Sequence, residues 1–230
     1  MKKIETHLHL APNSDCAIEQ PRETARLCRN AGYDGIIVTN HIMRYIFERW
    51  QKQGLNPMEF YLKSYHDLKK YGERLGLQVW LGAEVNLDRY NRADINGPVY
   101  EFLLYGIDED FLLANPEIYM LSQEELFALC SSRGVLMVQA HPFRETSRLA
   151  DTNFLHGLEV CNANPRHDSH NDEAMRVAEK CGLIATAGSD FHQRGDEGRA
   201  YMCVPDDVAD IYGFVNALKN GTATISECGC

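Results

Sequence analysis

KKIETHLHLAPNSD, residues 2–15, begins with an alternating run that reads as a β-strand and breaks into a loop at Pro12. Side chains two apart on a strand share a face, so His7 and His9 point the same way, and Asp15 follows six residues after His9. Two imidazoles so placed are either a half-exposed polar stripe or two arms of a metal site. What comes next along the chain decides between them.

Residues 21–30 place Thr24, Leu27 and Cys28 at helical spacing, with Ala31 continuing the face and Gly32 as a stop. GIIVTNH (35–41) then reads as a second strand, and Tyr61, Tyr65, Leu68 and Leu75 mark one face of a longer helix. LQVWLGAEV (77–85) and YEFLLYGI (100–107) are further strands. SQEELFALCSSRG (122–134) opens with a capping box, Ser122 to Glu125, and stops at Gly134. VLMVQAHP (135–142) follows directly. GLEVCNA (157–163) and LIATAGSDFH (183–192) bracket a helix carrying Ala174, Val177, Ala178 and Cys181, and a last amphipathic helix is expected around Val208 to Leu218. Residues 42–57 are irregular, aromatic and basic, and are expected to be a loop or short helix over the site. Strands alternating with helices predict α/β architecture, and 230 residues fit a single-domain barrel.

Composition narrows the function classes. Hydrophobic content of 44% with 24% charged residues is that of a globular chain. A net charge of −10 works against a sequence-independent grip on nucleic acid, whose phosphates demand a basic face. No run is long and apolar enough for a membrane span, and Lys2, Lys3 and Ile4 are followed at once by Glu5, which leaves no apolar core for a signal peptide. The cytoplasm is the expected location. The eight cysteines (16, 28, 130, 161, 181, 203, 228 and 230) form no CxxC pair and read mostly as buried thiols, and the closing CGC is too short to define a metal site.

The informative coincidence lies at the ends of the expected strands: His7 and His9, His41, Glu84, His141, Glu159, then Asp190 and His192. In a parallel βα barrel every strand delivers its carboxyl end to one rim, so these residues would meet. Imidazoles with carboxylates suit zinc, manganese or iron, and so many donors can hold more than one ion. Glu159 is as readily structural as functional. Cys161 reads as a packed thiol, and His66, His156, His167 and His170 fall on helices or loops and read as solvated unless a loop folds over the rim. Arg144, just after His141, is the best-placed guanidinium for a phosphate, with Arg166, Arg194 and Arg199 in loops after late strands.

HLH with Ser14–Asp15, TNH ending at His41, GAE ending at Glu84, AHP at His141 and GSDFH with Asp190 and His192 run from end to end of the chain. In that order they resemble the PHP (polymerase and histidinol phosphatase) family of metal-dependent phosphoesterases. The resemblance implies a distorted (β/α)7 TIM-like barrel, one domain over residues 1–230, with two or three divalent ions on its rim. It implies His7, His9, Glu84 and Asp190 on one ion, Asp15, His41 and His192 on a second, and His141 with bridging Glu84 on a third. Glu101 stands where many small relatives carry histidine and is expected either to ligate in its place or to leave the third site empty, and Glu5 and Asn40 stand where aspartates are common.

The expected reaction is hydrolysis of small phosphomonoesters by a hydroxide bridging the ions, with His192 and Arg144 in catalysis and Arg144, Arg166 and Arg194 on the substrate. The expected partner is thus a small phosphorylated molecule, with neither nucleic acid nor membrane, and the oligomeric state is not expressed in the sequence. Two rival readings are an amidohydrolase-like C–N hydrolase and a metal-holding regulatory domain without turnover.

Overall fold

The computed structural model describes residues 1–88 and 99–226; Cys228 and Cys230 of the closing CGC lie outside them. Its strands are β1 (Lys2–Leu8), β2 (Gly35–Val38), β3 (His41–Ile42), β4 (Gln78–Asn86), β5 (Glu101–Tyr105), β6 (Leu136–Gln139), β7 (Gly157–Asn162), β8 (Ile184–Gly188), β9 (Met202–Val204) and β10 (Thr224–Ile225). The helices named below are α1 (Pro21–Asn30), α2 (Arg44–Lys52), α3 (Pro57–Arg74), α4 (Glu109–Ala114), α5 (Gln123–Ser132), α6 (Asn171–Cys181) and α7 (Ile211–Lys219).

The sheet runs β1-β2-β4-β5-β6-β7-β8, with β3 prolonging β2 alongside β4 and with β9 and β10 added antiparallel outside β1. β8 then returns to β1. The Phe191 N–H donates to the His7 carbonyl, the His9 N–H donates to the Phe191 carbonyl, both at 2.9 Å, and Thr6 Oγ1 donates to the Ala187 carbonyl at 2.8 Å. Seven strands therefore form a nearly closed barrel, the α/β architecture expected. One expectation needs correcting: β5 is antiparallel to both β4 and β6. The sheet is mixed, and it is the amino end of β5, not its carboxyl end, that reaches the rim where its neighbours finish.

Each of the seven strands sends a side chain into one buried apolar cluster: Ile4, Ile37, Trp80, Leu103, Val138, Cys161 and Ala187. Phe214 of α7 packs against Trp80 and Tyr105 and plugs this lumen. A second cluster lies between the strands and helices, where Tyr61, Leu62, Tyr65 and Leu68 of α3 and Ala25, Leu27 and Cys28 of α1 are buried. Leu75 is 41% exposed, past the end of α3, so it is not part of that face. The capping box at α5 is present in both directions, Ser122 Oγ with the Glu125 N–H and Glu125 Oε2 with the Ser122 N–H. The thiols are less uniformly buried than expected: Cys28 and Cys130 are buried, Cys16 and Cys181 are exposed, and Cys161 is disulfide-bonded.

The seam between β8 and β1 depends on Gly188. A Cβ there would lie 2.7 Å from His7 Cβ and 3.0 Å from both the His7 nitrogen and Thr6 Oγ1. Gly188→Ala is expected to destabilise the fold by about 1–3 kcal/mol, the usual cost of overpacking. Urea denaturation measures it; an unchanged midpoint would mean that the seam is not close-packed.

Candidate metal centre

The rim draws in side chains from most of the barrel. His7 is next to last in β1 and His9 lies just past it; His41 opens β3; Glu84 is late in β4; Glu101 opens β5; His141 and Asp190 follow β6 and β8. The ladder sets His41 directly against Glu84, and Glu101 against Asn86 two residues further on. Antiparallel β5 thus delivers Glu101 to the same rim.

Glu84 is the hub. It is fully buried, with Oε1 3.4 Å from His7 Nε2 and 3.4 Å from His141 Nε2, and Oε2 3.3 Å from His9 Nε2 and 2.9 Å from His41 Nδ1. Neither oxygen takes part in a well-formed hydrogen bond. A buried carboxylate left this way costs several kcal/mol unless something compensates it. Asp190 Oδ1 stands 3.4 Å from each of His7 Nε2, His9 Nε2 and His192 Nδ1. Glu101 closes the far side, 3.8 Å from His41 and 3.7 Å from His141.

Groups able to bind a cation overlap here: His7, His9 and Glu84; His7, His141 and Asp190; His41, Glu84 and Glu101; and His9, His41 and His192 with Cys16, each set having its ligand atoms within 4.8 Å of one another. The donor set therefore fits divalent ions. It brings together His7, His9, His41, Glu84, Glu101, His141, Asp190 and His192. Asp15 does not join them: both its oxygens are bound at 2.6 Å by the Arg49 guanidinium of α2. The neighbouring Cys16 faces the basin instead.

Behind these side chains a layer of buried acceptors orients the rings. Glu159 Oε1 accepts from His7 Nδ1–H at 2.8 Å, while Oε2 accepts from the His141 N–H at 3.0 Å and from Asn162 Nδ2 at 2.9 Å. His7 Nε2 is thereby turned into the basin. Ser14 Oγ contacts His9 Nδ1 at 3.2 Å, and His192 Nδ1 donates to the Asp190 carbonyl at 2.7 Å. Glu5 Oε1 accepts from the His7 and Ser189 N–H groups, both at 2.9 Å, and Asn40 Oδ1 accepts from the Leu10 N–H at 2.7 Å. These two residues, unlike the aspartates common in similar proteins, still tie the loops to the strands. His141 (φ 29°) and Asp190 (φ 50°) hold left-handed backbone that side-chain-bearing residues seldom adopt, a strain typical of functional sites.

Electrostatics follow from burial and charge. Burial works against a proton on His7 and His41, yet neighbouring carboxylates outweigh it and raise both well above the ordinary imidazole range. His9 is held well below that range by burial and by His41 and His192. Glu84 and Asp190 are lowered well below the carboxylate range: burial alone would raise them, but His41 and His7 respectively lead the opposing charges. Burial would raise the Cys16 thiol too, but hydrogen bonds with His192 and His41 bring it down to about 7.

The arginines divide. Arg144 Nη2 donates to Asp190 Oδ2 at 2.7 Å and Asn162 Oδ1 at 2.9 Å, while its buried Nε has no hydrogen-bond partner. Arg166 is bound bidentately by Asp196, both contacts 2.7 Å. Arg194 is an exposed partner of Glu23 on α1 and lies outside the cleft, and Arg199 bonds to the Gly195 carbonyl on the surface. The cleft over the centre has a volume of about 230 Å³, lined by Cys16, His41, Glu84, Glu101, His141, Arg144, Asn164, Arg166, His167, Asp190, His192 and Gln193. Cys16, Asn162, Asn164 and His167 were not singled out from the sequence for this site. Only the Ser14–Asp15–Cys16 adjacency carried any signal for one of them. Larger clefts elsewhere, such as one of about 410 Å³ beside Phe47 and Tyr119, lack a comparable set of donors.

The architecture is a nearly closed mixed barrel with imidazoles and carboxylates gathered at its rim in a set that suits divalent ions. A family model described as PHP-associated matches residues 168–223. The fold is shared, with a TM-score of 0.66 and 19% identity over 98% of this chain, by a two-domain Bacteroides vulgatus protein containing a predicted PHP-like metal-dependent phosphoesterase; the match spans 64% of that protein. It is also shared by a Chromobacterium violaceum amidohydrolase with bound sulfate and no metal (TM-score 0.61, 15% identity, 94% and 96% coverage) and by a lesion-specific endonuclease from Pyrococcus furiosus (0.60, 13%, 97% and 57%). No curated protein matches by sequence. The matched segment and the shared fold agree with the PHP resemblance carried by the motifs. Among the described residues no helix is long and apolar enough to cross a membrane.

Proposed function

We propose that this chain hydrolyses small phosphomonoesters at a centre of two or three divalent ions, zinc, manganese or iron. The observation that carries this reading is the Glu84 carboxylate, fully buried among four imidazoles and taking part in no well-formed hydrogen bond. Ions bound there would activate water near neutral pH and offset charge on the phosphoryl oxygens. His7, His9, Glu84 and Asp190 supply one set of ligands; His41 and His192 belong to a second; His141 and Glu101 complete the third.

Arg144 does the work of binding phosphate. Arg144 lines the cleft, and Asp190 and Asn162 hold its Nη2, so the guanidinium is pre-oriented at the wall. Arg166 lines the wall, but Asp196 already offsets its charge, so it shapes the cleft more than it attracts an anion. Arg194, turned away on Glu23, is dropped from the substrate set. His192, placed among His41, His9 and Cys16, acts here as a ligand rather than as a proton carrier.

The small cleft and the net charge of −10 favour a compact phosphorylated molecule over a polynucleotide. The test is phosphate release from a panel of small phosphomonoesters by protein purified without chelator, with metals counted. Release is expected to vanish with His41→Ala and to fall on the order of 10²-fold with Arg144→Ala, the loss typical of one charge-stabilising donor. Turnover of amides or lactams alone would replace this reading with the C–N hydrolase one. Cleavage of lesion-bearing DNA alone would favour a nuclease, and bound metal without any turnover a regulatory domain.

A further inference from the structure

Asp15 and Cys16 are the two central residues of the turn from Ser14 to Ala17, closed by the Ala17 N–H on the Ser14 carbonyl at 3.1 Å. They face different ways. Arg49 of α2 grips both Asp15 oxygens, which turns that carboxylate away from the rim. On the other side the Ile18 N–H donates to the His192 carbonyl at 2.9 Å and Ser14 Oγ accepts from the His41 N–H at 3.2 Å, drawing the turn against both histidine-bearing segments. The Cys16 sulfur then shares a cluster with ligand nitrogens of His9, His41 and His192, all within 4.8 Å of one another.

We propose that the Cys16 thiolate, with His41 and His192, holds one ion of this centre, in the place that the PHP resemblance gave to Asp15. This rests on the metal-centre reading above and goes beyond it in naming a sulfur ligand. Binding forms a sulfur–metal bond and releases the thiol proton to solvent, and no electron is transferred. His9 lies within reach of the same ion and of its neighbour. A thiolate is a soft ligand, so this position selects zinc over manganese, whereas an aspartate there would suit manganese better.

Apoprotein loaded with Co(II) tests the assignment without any assay of turnover. The wild type is expected to show a near-ultraviolet sulfur-to-cobalt charge-transfer band, which Cys16→Ser removes and Asp15→Asn leaves intact. Peptide-resolved alkylation should show Cys16 modified on the order of ten-fold more slowly with zinc bound, because a coordinated thiolate is no longer a free nucleophile. Cys16→Asp is expected to retain metal while shifting preference from zinc towards manganese. A missing band, a band that survives Cys16→Ser, or loss of cobalt in Asp15→Asn would overturn the assignment while leaving a metal centre in place. A chain that takes up no cobalt would overturn the metal-centre reading together with this one.

Discussion

Glu84→Gln is expected to lose at least one bound ion per chain and to lower phosphate release on the order of 10³-fold, since bound ions supply several kcal/mol of charge stabilisation and each 1.4 kcal/mol is a factor of ten. The change is nearly isosteric, so the barrel should keep its shape. What disappears is the negative charge on which His7, His9, His41 and His141 converge. An amide nitrogen cannot ligate and would face imidazole nitrogens at about the same separations. Removing the carboxylate also weakens the hold on protons at His7 and His41, both of which it helps to keep above the ordinary range. In the wild type, ion uptake competes with those protons, so it is expected to release protons and to strengthen as pH rises through neutrality. In the variant that dependence should move to lower pH. Metal analysis, phosphate release and proton release on titration are the measurements; a variant that keeps full metal content and full turnover would remove Glu84 from the centre.

Glu159→Gln is expected to weaken metal binding about 10–100-fold, the usual effect of losing a partner behind a ligating histidine. Both Glu159 oxygens accept: one from His7 Nδ1–H, the other from the His141 N–H and Asn162 Nδ2. Glutamine has one acceptor and one donor for these positions. If its NH₂ faces His7, the ring must shift its proton to Nε2, taking away the lone pair aimed into the basin. If it faces His141 and Asn162, donors meet donors in a buried place. Competition titration with a chromogenic zinc chelator measures the loss, and unchanged affinity would show that His7 does not need Glu159 to hold its orientation.

Much of this was legible from short-range pattern. Short apolar runs marked β1, β2, β4, β6, β7 and β8, and the Ser122–Glu125 pair marked the start of α5. The residues that form the basin were legible as a set because each lies beside a strand end. Glu159 stood out for the same reason, but its role did not: whether a buried carboxylate faces an ion or supports a ring depends on groups far away in sequence, here His7 and His141. The direction of β5 was likewise hidden, since an apolar run reads the same in either sense. Glu101 reached the rim by starting its strand there rather than by ending it.

By itself the chain's order of residues determined that strands and helices alternate, that one rim gathers imidazoles and acids, and that the set suits divalent ions, because those properties follow from periods of two and 3.6 residues and from side-chain chemistry. Tertiary structure alone decided which of two adjacent turn residues faces that rim. Asp15 has the better letter for a hard ion, but Arg49, 34 positions on, binds it and turns it outward, leaving Cys16 among the histidines. A turn has no periodicity to impose a direction on its side chains, so the partner that a fold brings alongside makes the choice.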